Sequence, residues 1–292
     1  MEFRALMPSE KNSVMPFLEH SRFIDMGFSS LYSLKDSFFP EFCLQEDMLL
    51  IRMRYDGCKA YAHPLKDGLN AHELSNLINN IGEETIIFDY IPEDAVGLYQ
   101  SITGYFAKIT CFDKYSDYFA DSEQFRDKNR PGHPRKYTDY RSFTTHFTAD
   151  VRTVCRNNIC DCIFLLDKWC SGRDCSLCAY GCEKKLQHAL FDAWETLPAK
   201  GIIVYIDGKP QSYLIGEQNG DTALILYGKP VGRQNGLNVF THISLIDKCF
   251  AEAKYVNFSP DSGMDGLKLF KSKFTPFRKL KKYYCVLTRE GS

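Results

Sequence analysis

Residues 201–243 read GIIVYIDGKPQSYLIGEQNGDTALILYGKPVGRQNGLNVFTHI, and this stretch decides the fold. Its three apolar runs are separated by Asp207-Gly208 and Asn219-Gly220, dipeptides that favour tight hairpin turns. The third run leads through a glycine-punctuated turn, residues 231–238, into an apolar segment with helical spacing. The stretch therefore predicts antiparallel strands, a glycine turn and then a helix over about residues 238–252.

The glycine turn has two interpretations. In a phosphate-binding loop, main-chain N–H groups at the start of a helix hold the anion, and the helix dipole favours it. Glycine is needed there because a side chain would block the approach of the phosphate. The same residues also suit an ordinary strand-to-helix turn, and the turn by itself leaves both interpretations open.

Similar elements occur along the rest of the chain. Residues 48–65 predict a hairpin that turns at Asp56-Gly57, residues 70–81 an amphipathic helix, residues 84–91 a strand, and residues 94–102 a short helix capped by Asp94. Later segments predict a helix (183–197), a strand (255–259), a helix (267–274) and a last strand (281–287). Residues 114–146 are polar, rich in tyrosine and interrupted by Pro131, Gly132 and Pro134, which predicts a connector.

Hairpin, glycine turn, helix, strand, helix, strand is an order that resembles the α+β fold of the GNAT acyltransferases. Because both parts of the chain carry similar elements, we predict a tandem GNAT fold. Its halves are residues 1–145, which include the linker, and residues 146–292. In that fold the glycine turn holds the pyrophosphate of coenzyme A. The resemblance thus assigns phosphate binding to four residues of the second half: Gly232, Arg233, Gly236 and Asn238.

Composition and charge exclude several classes of protein. The 292 residues carry a formal net charge of −1, which gives no general attraction to nucleic acids or membranes. No segment approaches the roughly 18 consecutive apolar residues of a membrane span. The N-terminal segment is interrupted by Pro8, Glu10 and Pro16 and so does not resemble a signal peptide. We therefore predict a cytoplasmic protein without a transmembrane segment, in which the twelve cysteines are thiols.

Seven of these cysteines lie between residues 155 and 182. Only Cys175 and Cys178 have the spacing of a zinc knuckle, and a structural zinc site normally has two such pairs. We predict no metal site, with zinc as the alternative for this cluster.

Charged residues suggest further sites in the second half. Seven basic residues lie between Lys268 and Lys282, and no acid lies between Asp265 and Glu290. This basic run predicts either contact with phosphates of a cofactor, a tRNA end or a lipid, or a solvated surface. Glu217 and Asp261 follow predicted strands, where a carboxylate can act as a general base or simply form a turn. No Ser/His/Asp spacing indicates a hydrolase.

NFSPDSGMDGLKLFKSKFTPF, residues 257–277, resembles the C-terminal signature of the phosphatidylglycerol lysyltransferase C-terminal-domain family. The residues that match the signature are Asn257, Asp261, Gly263, Gly266, Leu267, Lys271, Phe274 and Pro276. Residues 23–68, KYSDYFADSEQF (114–125) and WCSGRDC (169–175) are similar to further parts of the same family. The resemblance covers nearly the whole chain.

This resemblance implies a soluble transferase that moves an acyl or aminoacyl group from acyl-CoA or aminoacyl-tRNA, without a tightly bound cofactor. The acceptor it implies is a lipid or an amine. It places Lys229, Asp261 and Asn257 at the reacting groups and adds Lys271 to the donor site.

Two positions depart from the family pattern, because Gly228 and Ser259 stand where acids are expected. The alternative hypothesis is therefore a non-catalytic module of the same fold that binds a phosphate-bearing ligand.

Overall fold

The computed structural model describes residues 1–55, 57–126, 134–171, 182–274 and 277–291. The described residues form fourteen strands: β1 Arg4–Ala5, β2 Glu41–Gln45, β3 Met48–Tyr55, β4 Cys58–Ala62, β5 Thr85–Ile91, β6 Tyr105–Cys111, β7 Asp117–Asp121, β8 Ala149–Thr153, β9 Lys200–Ile206, β10 Lys209–Asn219, β11 Thr222–Pro230, β12 Tyr255–Asn257, β13 Arg278–Leu280 and β14 Tyr283–Arg289. They also form ten α-helices: α1 Lys11–Leu18, α2 Phe28–Ser33, α3 Ala71–Ile81, α4 Val96–Gln100, α5 Glu123–Arg126, α6 Pro134–His146, α7 Ile159–Cys170, α8 Glu183–Asp192, α9 Leu237–Cys249 and α10 Asp265–Lys271.

The strands form two seven-stranded sheets with the same plan. The first has the order β1-β2-β3-β4-β5-β14-β6, and the second has the order β13-β7-β12-β11-β10-β9-β8. Each sheet contains a parallel pair, β4 with β5 and β11 with β12, among antiparallel neighbours. A parallel pair requires a crossover, which α3 provides in the first sheet and α9 in the second.

The two sheets exchange a strand. β14, at the end of the chain, lies between β5 and β6 of the first sheet, whereas β7 lies between β12 and β13 of the second. Each exchanged strand therefore pairs with residues far away in the sequence. The predicted boundary between residues 145 and 146 stays a prediction, and a cut there would separate β7 and β14 from their sheets.

Apolar residues bury the faces of both sheets. One cluster joins β9–β12 to α9 and also includes Phe125, Phe143 and Phe274. Another packs α1, α2 and β3 together with Leu190 and Leu197, so it includes residues from both parts of the chain. A third covers the far face of the second sheet with Leu165 and Leu166 of α7 and with Trp194.

Most elements predicted from periodicity are present. The hairpin of β3 and β4, helix α3, the three strands β9–β11 and helix α9 confirm the predictions for those segments. α3 begins with a capping box in which the Asn70 side chain accepts from the Glu73 N–H, and Glu73 bonds back to the Asn70 N–H. The helix predicted over residues 183–197 ends at Asp192 as α8. Leu197 precedes Pro198 and is extended, so the helix cannot continue to it.

Two sequence predictions were wrong. Asp94 lies inside a 3₁₀ turn, Glu93–Ala95, so it does not cap α4. Residues 114–146 are not a plain connector, because they include β7, α5 and α6. β7 was not recognised in the sequence, because its five residues begin and end with an aspartate. In the structure its Phe119 is almost fully buried. β8 and α7 were not predicted. Asp56, Pro131, Gly132, Cys175, Cys178 and Pro276 lie outside the described residues.

Candidate functional site

The parallel strands β11 and β12 diverge early. Their pairing covers Thr222 to Leu224 opposite Tyr255 to Asn257, whereas β11 continues to Pro230 beside β10. The register with β10 shifts at Ile215 and Gly216, so Leu226 bulges from β11. Beyond Leu224, no strand of the described residues pairs with β11 on the side of β12. Main-chain groups of residues 225–230 on that side are therefore not used by the sheet.

Asn257 ends β12 and is completely buried. Its side-chain amide donates to the carbonyl oxygen of Arg22 at 2.7 Å and to Oδ2 of Asp117 at 2.8 Å. Its side-chain oxygen accepts from the N–H of Ser259 at 2.8 Å. The predicted catalytic residue therefore joins the N-terminal segment to the second sheet.

Asp117 and Lys282 meet where the two exchanged strands cross. Lys282 Nζ lies 2.9 Å from Oδ1 of Asp117 and 2.5 Å from Oδ2 of Asp25. Oδ2 of Asp117 also accepts from the N–H of Ile24 at 3.0 Å. Burial alone would lower the pKa of Lys282, but the two carboxylates outweigh it and hold that pKa above its ordinary value. This buried cluster, Asp25–Asp117–Lys282, is called the crossover triad below.

Asp261 is held by three donors and is almost fully buried. Oδ2 accepts from the hydroxyl of Tyr118 at 2.6 Å and from Lys279 Nζ at 3.4 Å, and Oδ1 accepts from the N–H of Gly263 at 2.8 Å. Burial raises the pKa of Asp261, but these donors outweigh it and keep the pKa below its usual range. A carboxylate stabilised in this way is a weak proton acceptor.

Lys271 shapes the same turn. Its Nζ donates to the carbonyl oxygen of Ser259 at 2.7 Å and to that of Pro260. Burial lowers the pKa of Lys271 to about 7, although Asp117 and Asp261 act in the opposite direction. Ser259 has a φ of 61°, in the left-handed region that a non-glycine residue rarely adopts. The structure thus brings Asn257, Asp261 and Lys271 together around the turn 257–263.

Lys229 contacts a different set of residues. It lies on β11 past the divergence, with Nζ 2.6 Å from Oε1 of Glu183 and 3.8 Å from the centre of the Trp169 ring. Glu183 Oε1 also accepts from the Gln187 side chain at 3.3 Å, and Gln187 Oε1 accepts from the Tyr213 hydroxyl at 2.5 Å. Lys229 is buried, whereas the Glu183 side chain is about one third exposed at 32%. The ion pair is therefore partly open to solvent.

The glycine turn is packed tightly. Gly236 has a φ of 82°, and a β-carbon there would lie 2.1 Å from the carbonyl oxygen of Asp139 in α6. A β-carbon at Gly232 would lie 2.2 Å from Oε1 of Gln234. The N–H groups of Val231 and Gly232 donate to the carbonyl oxygen of Gln211. Packing against main-chain atoms accounts for Gly236, whereas the atoms near Gly232 are ends of side chains. The phosphate-binding role of Gly232, Arg233, Gly236 and Asn238 stays a prediction.

Most of the basic run is paired with acids elsewhere in the chain. The pairs are Lys273 with Asp139, Arg278 with Asp121, Lys279 with Asp261, Lys281 with Glu93, and Lys282 with the two carboxylates of the crossover triad. These pairs join the C-terminal residues to earlier segments, which leaves little net positive charge for phosphates.

Glu217 of β10 is buried against the start of α2. Oε2 accepts from the N–H of Ser29 at 2.9 Å, while Oε1 has no hydrogen-bond partner among the described residues. A β-carbon on Gly27 would lie 1.7 Å from Oε1, so the glycine makes room for the carboxyl group. Burial raises the pKa of Glu217 to about 7, against the opposing effect of donors from Ser29 and Ser30.

The raised pKa of Glu217 predicts a pH-dependent stability. Because the folded state keeps the proton that the unfolded state loses near pH 4.5, the free energy of unfolding falls as pH rises from about 4.5 to about 7. Glu217→Gln removes this dependence. As pH rises from about 4.5 to about 7, the free energy of unfolding of the variant minus that of the wild type is expected to increase by on the order of 3 kcal/mol. Urea unfolding at several pH values measures this difference, with the exposed Glu195→Gln as the control. A wild-type-minus-variant difference that does not change with pH would contradict the prediction.

A cleft of about 860 Å³ opens between the halves. Its wall consists of residues 19–23 and Met26, residues 63–68 after β4, Tyr90 and residues 92–94 around the end of β5, Asp221, and residues 279–281. The buried crossover triad adjoins it, since Asp25 precedes the wall residue Met26 and Lys282 follows the wall residue Lys281, while Asp117 pairs with Lys282. Residues from both sheets therefore meet at this cleft.

Within the described part of the chain, no three His, Cys, Asp or Glu side chains are grouped as metal ligands. Cys175 and Cys178 lie outside it, so zinc binding by the cysteine cluster stays untested. No helix among the described residues has the length and apolar character needed to cross a bilayer.

Comparison with known proteins decides the family. Residues 25–286 match the model of the phosphatidylglycerol lysyltransferase C-terminal domain. The chain belongs to this family. No curated protein matches it by sequence. Asn257, Asp261 and Lys271, on which the sequence resemblance to this family rests, lie together at the turn 257–263.

Solved structures show how widely this family's fold is shared. A conserved protein of unknown function from Bacteroides thetaiotaomicron VPI-5482 is 19% identical, covers 99% of this chain and 100% of its own, and has a TM-score of 0.91. The C-terminal domain of a putative lysylphosphatidylglycerol synthetase from Agrobacterium fabrum is 13% identical, with coverages of 96% and 92% and a TM-score of 0.67. A tandem GNAT protein from the clavulanic acid biosynthesis pathway is 9% identical, with coverages of 100% and 99% and a TM-score of 0.51. The predicted α+β tandem GNAT fold is confirmed.

Sequence reasoning missed several residues of this candidate site. Glu183, Asp117 and Lys282 are separated from their partners by 46 to 257 residues in the chain. Lys282 belongs to the basic run 268–282, which predicted contact with phosphates or solvent instead of a buried ion cluster. Glu183 gave a signal only as an acid in the first turn of a helix.

Proposed function

We propose that this member of the family is a GNAT-type aminoacyl transferase. The observation that carries the proposal is the free edge of β11 from Ile225 to Pro230 beyond its pairing with β12. An extended ester or thioester donor could lie along this edge as an added strand, with main-chain hydrogen bonds holding it. An N–H group on the edge would stabilise the negative charge that develops on the donor carbonyl oxygen.

In the proposed reaction, an amine or hydroxyl of the acceptor attacks the carbonyl carbon of the donor. A new C–N or C–O bond forms, and the C–O bond to a tRNA ribose or the C–S bond to coenzyme A breaks. The acceptor loses a proton and the leaving group gains one, so no oxidant or reductant is needed. Positioning contributes most to such a reaction, because it turns a bimolecular step into a unimolecular one.

Lys229 and Glu183 are proposed to act at the reacting centre. Lys229 lies on the part of β11 with the free edge, and its ammonium group would stabilise the carbonyl oxygen. The partly exposed Glu183 carboxylate would accept the acceptor's proton. Asn257, Asp261 and Lys271 are proposed to position the turn 257–263, since their polar groups already have partners. Donor phosphates would lie at Gly232, Arg233, Gly236 and Asn238.

Transfer assays with labelled aminoacyl-tRNAs and acetyl-CoA test the proposal. Lys229→Met is expected to lower turnover by about 100-fold or more, because the charge at the carbonyl oxygen is lost. Lys229→Arg should retain part of the activity, and Lys209→Met, at an exposed position on the neighbouring strand, should retain all of it. Full turnover in Lys229→Met would rule out this role for Lys229. The absence of binding by every donor, measured by calorimetry, would end the proposal itself.

A second candidate is a non-catalytic module that binds a phosphate-bearing ligand. The stabilised carboxylate of Asp261 and the lack of acids at Gly228 and Ser259 favour it. Donor binding without transfer, with Lys229→Met or Asp261→Asn changing only the affinity for the donor, would decide for this candidate.

A further inference from the structure

Helix α2 contacts both elements that carry the ion pair of the candidate site. It packs against α8, which begins with Glu183, and both helices contribute to one buried apolar cluster. At the end of α2, the Ser33 hydroxyl lies 2.8 Å from the Tyr227 hydroxyl of β11. Lys229 lies two residues after Tyr227, on the same face of that strand. The position of α2 therefore affects both partners of the ion pair.

The contact between α2 and β11 has a defined direction. The Ser33 hydroxyl has one proton, and it donates that proton to the carbonyl oxygen of Ser30 at 2.6 Å. Tyr227 must therefore be the donor in its contact with Ser33. Because Ser33 is almost fully buried, this hydrogen bond ties the end of α2 to β11 without competition from solvent.

The start of α2 is held by Glu217 of β10. The N–H of Ser29 donates to Oε2 of Glu217 at 2.9 Å. Oε1 of Glu217 and the Ser29 hydroxyl have no hydrogen-bond partner among the described residues, although Glu217 is only 1% exposed and Ser29 is completely buried. A β-carbon on Gly27 would overlap Oε1, so the main chain that enters α2 lies directly against the carboxyl group. One more hydrogen bond could thus form between Glu217 and Ser29 if α2 moved.

The need for this hydrogen bond depends on the charge of Glu217. Burial raises its pKa to about 7, against the opposing effect of donors from Ser29 and Ser30, so the group gains or loses its proton close to neutral pH. A buried charged oxygen without a partner costs far more free energy than a neutral one. The carboxylate therefore attracts the Ser29 hydroxyl more strongly than the neutral acid does.

The titratable groups on the elements around α2 include Asp25 before it, Glu183 at the start of α8 and Tyr227 on β11. Asp25 is paired with Lys282 of the crossover triad. Burial raises the pKa of Tyr227 against the effect of the Ser33 hydrogen bond, and the carboxyl groups of Glu183, Asp25 and Glu217 raise it further. Tyr227 therefore keeps its proton near neutral pH, and the contact between α2 and β11 persists when Glu217 changes its charge.

We propose that Glu217 is a positioning residue, because the gain or loss of its proton moves α2 and thereby adjusts the contact between Lys229 and Glu183. The charged form draws Ser29 towards β10, and the movement reaches β11 and α8 through the contacts of α2. The effect on transfer rests on the proposed function, whereas the movement of α2 does not.

Tryptophan fluorescence measures this movement without any donor. The ring centre of Trp169 lies 3.8 Å from Lys229 Nζ, so the emission of Trp169 depends on the surroundings of the ion pair. The other tryptophan of the chain is removed by Trp194→Phe, which serves as the parent for all variants. We expect its emission to change in one step centred near pH 7, and Glu217→Gln should abolish the step. Glu252→Gln, at an exposed acid after α9, should keep it.

Two serine variants give a second measurement that does not depend on the stability of Glu217→Gln. The Ser29 side chain lowers the pKa of Glu217, whereas Ser30 acts only through its main-chain N–H. Ser29→Ala should therefore move the midpoint of the step upward by about 0.5–1 pH unit. Ser30→Ala is the matched control, and its midpoint should equal that of the parent.

The absence of a step near pH 7 in the parent would overturn the proposal. So would a step that persists in Glu217→Gln, or equal midpoints in Ser29→Ala and Ser30→Ala. In the transfer assay, kcat should change at least about threefold across the same pH range in the parent but not in Glu217→Gln, with the KM for the donor unchanged.

The positioning role and the transferase function fail separately. A fluorescence step that depends on Glu217, without any transfer, contradicts only the transferase function. Transfer without such a step contradicts only the positioning role of Glu217.

Discussion

Lys282→Met is expected to lower the free energy of unfolding by about 3–5 kcal/mol, the cost of removing one partner from a buried ion pair. Methionine fills a similar volume but leaves Asp25 and Asp117 without their shared cation. The Lys282 side chain is only 5% exposed, so water cannot replace the lost charge easily. Lys282 precedes β14 and Asp117 begins β7, so the ion pair that is lost joins the two exchanged strands.

Urea unfolding measures this effect, and the neighbouring residue is a matched control. Lys281 pairs with Glu93 at the surface, where the side chains are 47% and 63% exposed. Lys281→Met should therefore cost less than about 1 kcal/mol. Adding Asp25→Asn to Lys282→Met should recover part of the loss, because one unpaired charge disappears. Similar stabilities for the two lysine variants would show that the crossover triad is not a buried charge cluster in solution.

Gly236→Ala is the second change with a large expected effect. The alanine β-carbon would meet the main-chain oxygen of Asp139, and the residue would keep a positive φ that alanine disfavours. Overpacking of this kind costs about 1–3 kcal/mol and the backbone strain adds about 1 kcal/mol. We expect a total loss of about 3 kcal/mol in the free energy of unfolding.

Gly263→Ala separates the two causes. Gly263 has a φ of 77°, but the nearest atom to its β-carbon position lies at 3.5 Å. It should cost only about 1 kcal/mol, from backbone strain alone. The comparison also tests the two interpretations of the glycine turn. If Gly236→Ala is as stable as Gly263→Ala but no longer binds a donor, the approach of a phosphate explains the glycine better than packing does.

Local sequence patterns predicted most of the second sheet. Asp207-Gly208 and Asn219-Gly220 predicted the hairpins β9–β10 and β10–β11. Asp207 and Gly208 both have a positive φ, as this type of hairpin turn requires. The family resemblance assigned Asn257 and Asp261 to the reacting groups and Lys271 to the donor site, and the structure places all three around one turn. In contrast, β7 was not predicted, because a five-residue run with acidic ends has no clear alternation.

The candidate site was less predictable than the fold. The sequence placed Lys229 with Asp261 and Asn257 at the reacting groups, whereas in the structure Lys229 pairs with Glu183 of helix α8. Asp261 was identified as a reacting group, but Tyr118 and Lys279, which lower its pKa, come from strands β7 and β13. Which side chain meets which depends on strand order, and strand order is not a local property.

The sequence by itself determined many of the elements of this protein, its tandem α+β character and its resemblance to the lysyltransferase-domain family. Hairpin turns, helix periodicity and signature residues act over a few neighbouring positions, so they can be recognised in a single chain. Only the tertiary structure decided that the sheets exchange β7 and β14, that Asp117 meets Lys282 across 165 residues, and that residues from both halves line an open cleft. The physical reason is that long-range pairing follows from burial of charge and apolar surface in the whole fold, which no short segment encodes.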